Sequence, residues 1–552
     1  MLDQTTRRDF LLGTVAGIAA FKAGWCGRGM VAASASEDLT AARKQTAHRR
    51  RRVIYNNDGD DIWARGADTI ERFLAVRHDP LLKMQVDSIF YCTTQSFNLF
   101  THETSVAERF LSRDASFANN NLPTFLEHKT DGLRMSCAFA RRHNVESMWS
   151  LRMNDIHDAW TPPFVSQWKK DDPRRVMSAL VTTQSFDDRR RLWSLVDFEH
   201  PDVEPRLVAI VEEVLRNYPV DGIELDWLRA PIYFRSHYEG GKVSARQVDV
   251  LTRVCTSLRQ VVLQESRRQG KPFLLAARVP VTIDLCRMIG IDIAAWLKAG
   301  LIDLLAIGGG YVVFDQPVAG LIELGHRHDV PVYPCLSQSG LVYRPPRGNG
   351  EVFPPAGWFA AAERCFDAGA DGIYVFNLFP GPYSDWKNTD PTSSAEAQRH
   401  YARTVLSRVG SPETLRDADK LYSISDAGNY MPAHYWSKDA EQFENSLPKE
   451  LKAGEATSLP ELVVAGKLPQ DHDAVAELRI DVTGLSAEAP LKVAFNGTAL
   501  SHSRDSDSVA QVRRFHYSVP VFSIRAGANA LSLSVADSGV KTVGAELWLR
   551  RE

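Results

Sequence analysis

The sequence lacks the features that mark the more easily recognised protein classes. None of its 7 cysteines forms a Cys-x-x-Cys pair. The six beyond the N-terminus, Cys92, Cys137, Cys255, Cys286, Cys335 and Cys365, are scattered, so neither a zinc ribbon nor a dense disulfide framework is indicated and buried free thiols are expected. An excess of one charge is also missing: 65 Lys and Arg against 68 Asp and Glu leave a net charge of -3. That balance gives no electrostatic case for nucleic acid or an anionic membrane. The longest apolar run, Phe10 to Phe21, is too short to cross a bilayer, so no stable membrane insertion is expected. No Gly-x-Gly-x-x-Gly opens a helix after the first strand pattern, which weighs against a dinucleotide-binding sheet.

What is present begins with a targeting pattern. Thr6-Arg7-Arg8-Asp9-Phe10-Leu11-Leu12 matches the twin-arginine export signal, and Ala33-Ser34-Ala35 offers a small-residue cleavage site. Residues 1–36 are therefore expected to be a signal peptide read by the twin-arginine (Tat) translocase, with the mature chain periplasmic or secreted. Cys26 as a lipoprotein anchor is disfavoured because Trp25 stands where a small residue is needed. Residues 37–52 are polar, end in Arg49-Arg50-Arg51-Arg52, and are expected to form a solvated linker.

With 552 residues the chain exceeds one ordinary domain, and its grammar changes along its length. Over 53–425 strand, loop and helix alternate. The strands are expected at Val53–Asn57, Asp87–Cys92, Ser147–Asn154, Val220–Trp227, Phe273–Pro280, Leu304–Gly310, Val330–Leu336 and Asp371–Asn377. Parallel strands need helical crossovers, so eight such units imply an α/β fold, a (β/α)8 TIM barrel; a six-stranded doubly wound sheet is the alternative. Residues 426–455 are expected to be a connector. Over 456–552 short alternating strands and the hairpin signal Asn496-Gly497 imply a small all-β, jelly-roll-like sandwich. Whether it braces the barrel or binds sugar stays open, since only Trp548 and a few Phe and Tyr residues are available for stacking.

The fourth strand carries the chemistry. In Asp221-Gly222-Ile223-Glu224-Leu225-Asp226-Trp227 successive side chains point to opposite faces, so Gly222, Glu224 and Asp226 share one face and Ile223, Leu225 and Trp227 the other. In a barrel sheathed by helices the acidic face points inward and rises to the C-terminal mouth. The stretch resembles the fourth strand of glycoside-hydrolase-like TIM barrels, including the family-ten-like glycosyl hydrolases with an Asp-Gly-Ile-x-x-Asp-x-x-Arg-x-Pro pattern; here Asp221, Gly222, Ile223, Asp226, Arg229 and Pro231 match. It is also similar to the strand of family-eighteen chitinases, but Leu228 stands where that pattern has its catalytic Glu. The resemblance spans roughly Arg52 to Leu415 and implies hydrolysis of a poly- or oligosaccharide.

Glycosidic cleavage commonly uses two carboxyl groups. Asp226 at the rim is expected to be nucleophile or general acid, and Glu224, deeper, to pair with Arg152 or Arg278, with direct catalysis as its alternative role. Asp155 and Asp158 in the loop after the third strand are candidate partners for Asp226. Around them Arg152, Asn154, His157, Trp160, Trp227, Arg229 and Arg278, with Tyr311 after the sixth strand and Asn377 and Trp386 after the eighth, are expected to bind substrate. His157 is also a candidate general base. The Asn56-Asn57-Asp58 to Asp60-Asp61 stretch lacks the closing Glu of a calcium loop and is expected to be a polar turn. No cofactor and no metal are called for. Two rival functions remain: a non-catalytic carbohydrate-binding barrel without an acid pair, and a metal-dependent hydrolase if Asp58, Asp60, Asp61, Asp155 and His157 converge.

Overall fold

Eight parallel strands close into a barrel in the order of the chain, each paired with the next and the last with the first. The computed structural model describes residues 28–114, 117–159, 161–179, 189–308, 316–337, 354–381, 395–424, 447–466, 474–504, 508–509 and 511–551. The strands are β1 (Val53–Asn57), β2 (Val86–Cys92), β3 (Glu146–Arg152), β4 (Gly222–Asp226), β5 (Leu274–Val279), β6 (Leu304–Ile307), β7 (Val332–Ser337) and β8 (Ile373–Phe376). Seven fall within a residue or two at each end of where the alternation of the sequence places them, and β6 starts at the expected Leu304 and ends at Ile307, with Gly309 and Gly310 of its expected range outside the described residues. The twin-arginine stretch, the apolar run and Cys26 lie outside the described residues, and no helix among the described residues is long and apolar enough to cross a membrane.

Alternation sorts each strand between two cores. Ile223, Leu225 and Trp227 on β4 join the large core between sheet and helices, while Ile54, Phe90, Met148, Ala276, Ala306, Tyr333, Tyr374 and Phe376 face the barrel axis. The strand register staggers the inward side chains into layers drawn from alternate strands. One layer holds Ile54, Met148, Ala276 and Tyr333; the next Phe90, Glu224, Ala306 and Tyr374; the third Asn56, Ser150, Arg278 and Cys335; the uppermost Cys92, Asp226, Gly308 and Phe376. The lower layers are apolar and packed. The upper ones are polar, and that change positions the candidate site.

The floor of the barrel corrects the expectation of a solvated linker over 37–52. A helix, α1 (Arg28–Ala47), occupies most of that stretch, and Arg51 after it is fully buried. The Arg51 guanidinium donates to Glu146 through Nε and Nη2 at 2.7 Å each, and to the carbonyls of Thr46 and Ala47 at the end of α1. Glu146 also accepts from Ser88 Oγ at 2.6 Å. One arginine therefore ties the helix end, where carbonyls lack intrahelical partners, to the first turn of the barrel. Arg52 makes a second, half-exposed pair with Asp87. A run of four arginines has the composition of a solvated tail, but a chain entering a barrel from below passes its closed end, and every second residue there is available to plug it.

The second domain is the expected sandwich, with shifted limits. β9 (Lys420–Ile424), β10 (Ala474–Thr483), β11 (Lys492–Phe495), β12 (Val512–Val519), β13 (Leu531–Ser534) and β14 (Lys541–Arg551) are its main strands. β9, β14, β10 and β12 are neighbours in one antiparallel sheet, and β13 and β11 lie in the other. Leu478, Ile480 and Leu547 from the first sheet meet Val493, Phe495 and Leu533 from the second in one core. Asn496 and Gly497, both at positive φ, join β11 to Thr498 in a two-residue hairpin, as the sequence signals. β9 belongs to this domain and not to the barrel, because Lys420 to Ile424 pair with Leu549 to Ala545. Lys449–Glu450 also pairs with β14, so part of the expected connector is sandwich; residues 425–446 lie outside the described residues. Glu363 on the helix Pro355–Asp367 of the barrel accepts from Lys420 Nζ and Tyr422 OH of β9, fastening the two domains.

Breaking a buried ion pair on one side leaves an uncompensated charge. Arg51→Met is expected to lower the unfolding free energy by on the order of 3–5 kcal/mol, and Arg51→Met with Glu146→Leu by clearly less. Urea denaturation checks this; a single-variant loss below about 1 kcal/mol, the scale of a surface pair, would contradict the plug.

Candidate active site

The upper half of the barrel contains a buried ion pair between β4 and β5. Asp226, at the end of β4, is 2% exposed and Arg278, beside it on β5, is fully buried. Arg278 Nε donates to Asp226 Oδ1 at 3.0 Å and Nη2 to Oδ2 at 2.7 Å, a two-point fork. The Leu228 N–H adds a third bond to Oδ1 at 2.9 Å. The guanidinium stacks over the Phe376 ring at 4.4 Å. The expectation of Asp226 as nucleophile or general acid at the rim meets a different geometry: both its oxygens are engaged, and a carboxylate so held is a poor nucleophile and a fixed negative charge.

Glu224 departs from expectation in the opposite sense. It pairs with neither Arg152 nor Arg278. Its Oε2 accepts from Ser150 Oγ at 2.5 Å and Tyr374 OH at 3.0 Å, while Oε1 has no hydrogen-bond partner among the described residues. Burial, and then the negative charge of Asp226 two residues along the strand, push its carboxyl up to about 7; Arg278, Ser150 and Tyr374 oppose the rise and do not cancel it. With Oε2 accepting twice, the proton of the neutral form sits on Oε1. Two carboxyls on one strand face are therefore split into a fixed charge and a titrating acid, the pattern that separates acid and base roles.

The loop after β3 forms a second network at the mouth. Arg152 donates to Thr94 O at 3.2 Å, Asp155 Oδ2 at 3.2 Å and Asp58 Oδ1 at 2.9 Å. Asp155 Oδ1 receives both the backbone N–H of His157 and its Nδ1, the latter at 2.6 Å. Burial alone would raise the Asp155 carboxyl, but His157 and Arg152 outweigh it and hold the group below the usual carboxylate range. Of the expected cluster, Arg152, Asp155 and His157 are in contact with one another, and Asp58 joins them through Arg152.

Other expected residues have structural tasks. Asp158 is buried in a pair with Lys169 at 2.5 Å, which turns it from Asp226. Asn154 is saturated by backbone, donating to Val196 O and Ile232 O and accepting from Val196 N. Trp227 faces away from the barrel axis, packed against Phe198, Tyr233 and Trp296. Arg229 lies over Phe376 at 5.3 Å, and Asn377 follows β8 in a left-handed conformation, φ 56°. Trp160, Tyr311 and Trp386 lie outside the described residues. Asp60 pairs with Arg77, and Asp61 accepts from Asn57 Nδ2 and Tyr91 OH. These acids therefore do not converge with Asp155 and His157, as the metal-dependent reading required; among the described residues no group of three or more His, Cys, Asp or Glu has metal-holding geometry. Ser150 and Tyr374, the partners of Glu224, were missed. Alternation with Arg152 on β3 and with Phe376 on β8 was the available signal. Lys169 had no local signal.

No protein-family model matches this sequence, and a search of curated proteins finds no significant match. Among solved structures the chain is similar to the glycoside hydrolase domain of PgaB (BpsB) from Bordetella bronchiseptica, at 14% identity over 65% of this chain and 99% of that one, with a TM-score of 0.40. It is also similar to alpha-L-fucosidase isoenzyme 2 from Paenibacillus thiaminolyticus, at 13% identity over 68% of this chain and 52% of that one, TM-score 0.41. A third is an Anoxybacillus alpha-amylase, at 13% identity over 89% and 98%, TM-score 0.35.

The raised Glu224 carboxyl has a signature in stability. An unfolded glutamate ionises near 4.5 and the folded one near 7, so the stabilisation it gives is complete below about pH 4.5 and is lost as pH rises through about 7. Between about pH 4.5 and 8, wild type is expected to lose on the order of 2–3 kcal/mol relative to Glu224→Gln. Denaturant titrations of both proteins across that range test it; parallel stability profiles would contradict the assignment.

Proposed function

We propose that this chain is an exported glycoside hydrolase acting on a poly- or oligosaccharide at the C-terminal mouth of its barrel. Glu224 is the proton donor and Asp226 the fixed charge that stabilises positive charge developing on the sugar ring. The carrying observation is the split of the carboxyl pair: Glu224 pushed up to about 7 with Oε1 unengaged, and Asp226 locked to Arg278. A donor that keeps its proton near neutral pH suits protonation of a leaving oxygen. His157, oriented by Asp155 and partly exposed, is placed to act on water or substrate at the mouth. The resemblance of the β4 motif to glycoside-hydrolase-like barrels supports the same class.

Export rests on the Arg7-Arg8 motif. Cleavage after Ala35 would leave the part of α1 that carries Arg43, paired with Asp303, and the end of α1 that Arg51 holds. The mature chain would thus keep the contacts that join α1 to the barrel. Fractionation of cells expressing wild type and Arg7→Lys/Arg8→Lys is expected to move the protein from the periplasm or medium to the cytoplasm; unchanged distribution would contradict export by this route.

A second reading is favoured by one specific feature. Leu228 occupies the place of the chitinase acid and both Asp226 oxygens are engaged, as in a barrel that binds carbohydrate without cleaving it. A panel of polysaccharides separates the two. Under the hydrolase reading, wild type releases reducing ends, Glu224→Gln lowers kcat by about 10²–10⁴-fold, and the rate falls above about pH 7 as Glu224 ionises. Binding without turnover, or a Glu224→Gln variant with the wild-type rate, would leave only the binding reading.

A further inference from the structure

Four buried polar atoms in the upper half of the barrel have no hydrogen-bond partner among the described residues: Asn56 Oδ1, Glu224 Oε1, Arg278 Nη1 and Gln316 Oε1. All four residues are more than nine-tenths buried. Asn56 and Arg278 share the third layer, and Glu224 reaches it from below. Gln316 enters from above by an unusual route. Gly308, at φ 105°, has no side chain to fill its place in the uppermost layer, and Gln316 Oε1 lies 2.5 Å from where a Cβ of Gly308 would be. Its orientation is fixed, because Nε2 donates to Cys335 O at 3.0 Å and leaves the oxygen turned inward. Three of the neighbours in these layers, Ser150, Cys335 and Gly308, are small, and Phe376 stacks on the Arg278 guanidinium. The Cys335 thiol beside the guanidinium, pushed up to about 12 by burial against the pull of Arg278, is only a weak acceptor.

Unpartnered polar groups in a buried site are costly unless a ligand or water meets them. The chemistry of the four atoms selects that ligand. Arg278 Nη1 and the protonated Glu224 Oε1 donate, whereas the carboxamide oxygens of Asn56 and Gln316 accept. A carboxylate or sulfate would satisfy the two donors and set its own lone pairs against both carboxamide oxygens. Hydroxyl groups both give and take, and satisfy all four.

Resting on the hydrolase or carbohydrate-binding reading above, we propose that this ring is the specificity subsite, and that it takes the hydroxyls of a neutral glycosyl unit and rejects uronic acids, in spite of the arginines at the mouth. Gln316 and Asn56 are the discriminating residues.

The test uses the full mature chain and the pairs methyl glucoside with methyl glucuronide and methyl galactoside with methyl galacturonide. Within each pair only CH2OH and COO⁻ differ. Calorimetry and thermal shift should show one neutral glycoside binding about tenfold or more tightly than its uronide. Gln316→Leu, with its fold checked by near-UV circular dichroism, should lose about tenfold of that affinity and narrow the gap within the pair. Equal or tighter binding of the uronides overturns the inference, as does failure of all four to bind, which would mean that the ring is satisfied by buried water. Binding is read here without turnover. Neutral binding with no hydrolysis on the polysaccharide panel sinks the hydrolase reading and spares this one, whereas hydrolysis of uronide chains does the reverse.

Discussion

The ion pair between Asp226 and Arg278 sets the chemistry of the whole upper barrel. A charge pair with side chains 2% and 0% exposed is tolerable only because its geometry is a two-point fork backed by a backbone N–H and an aromatic face. Once Asp226 is committed to negative charge, a second carboxyl on the same strand face meets repulsion in addition to desolvation. Glu224 responds by keeping its proton to about pH 7. The acid in this site is therefore made first by burial and then by its neighbour, and the neighbour is held by an arginine from the next strand.

The same barrel handles buried charge differently at its two ends. At the floor, Arg51 and Glu146 satisfy each other, and Ser88 and the end of α1 take up the remaining capacity. That end is a closed, fully bonded plug. At the mouth the corresponding atoms are left incomplete: Glu224 Oε1 and Arg278 Nη1 have no partner among the described residues. These two atoms lie in the half of the barrel where active sites of such barrels lie, although other buried polar atoms without a partner, Trp63 Nε1 and Arg77 Nε among them, lie elsewhere in the fold. The network of Arg152, Asp155, His157 and Asp58 lies beyond these atoms at the end of β3 and in the loop that follows it.

The barrel and the sandwich were legible because period-two and helical patterns alternate cleanly, and because the chain offers eight repeats of the unit. The inward direction of Glu224 and Asp226 followed from the same alternation. Their roles did not, because a role depends on which guanidinium a carboxyl meets across strands. The register sets both Arg152 and Arg278 opposite Asp226, and the pairing falls to Arg278 because Arg152 is taken by Thr94 O, Asp155 and Asp58. Asp158 and Asn154 were misjudged for a related reason: Lys169, Val196 and Ile232, which claim them, lie far enough along the chain that no local spacing announces the contact. Arg51 was hidden by its neighbours, since a tetrad of arginines has one composition whether it is solvated or one member plugs a barrel.

The central claim is that Glu224 is neutral in the folded protein under conditions where an ordinary glutamate is charged. The most direct measurement is infrared difference spectroscopy of wild type against Glu224→Gln across pH, following the protonated carboxyl stretch. A band that belongs to Glu224 and disappears with a midpoint near 7 is the predicted result. A carboxyl already ionised at about pH 5, as an unperturbed glutamate would be, would contradict the account.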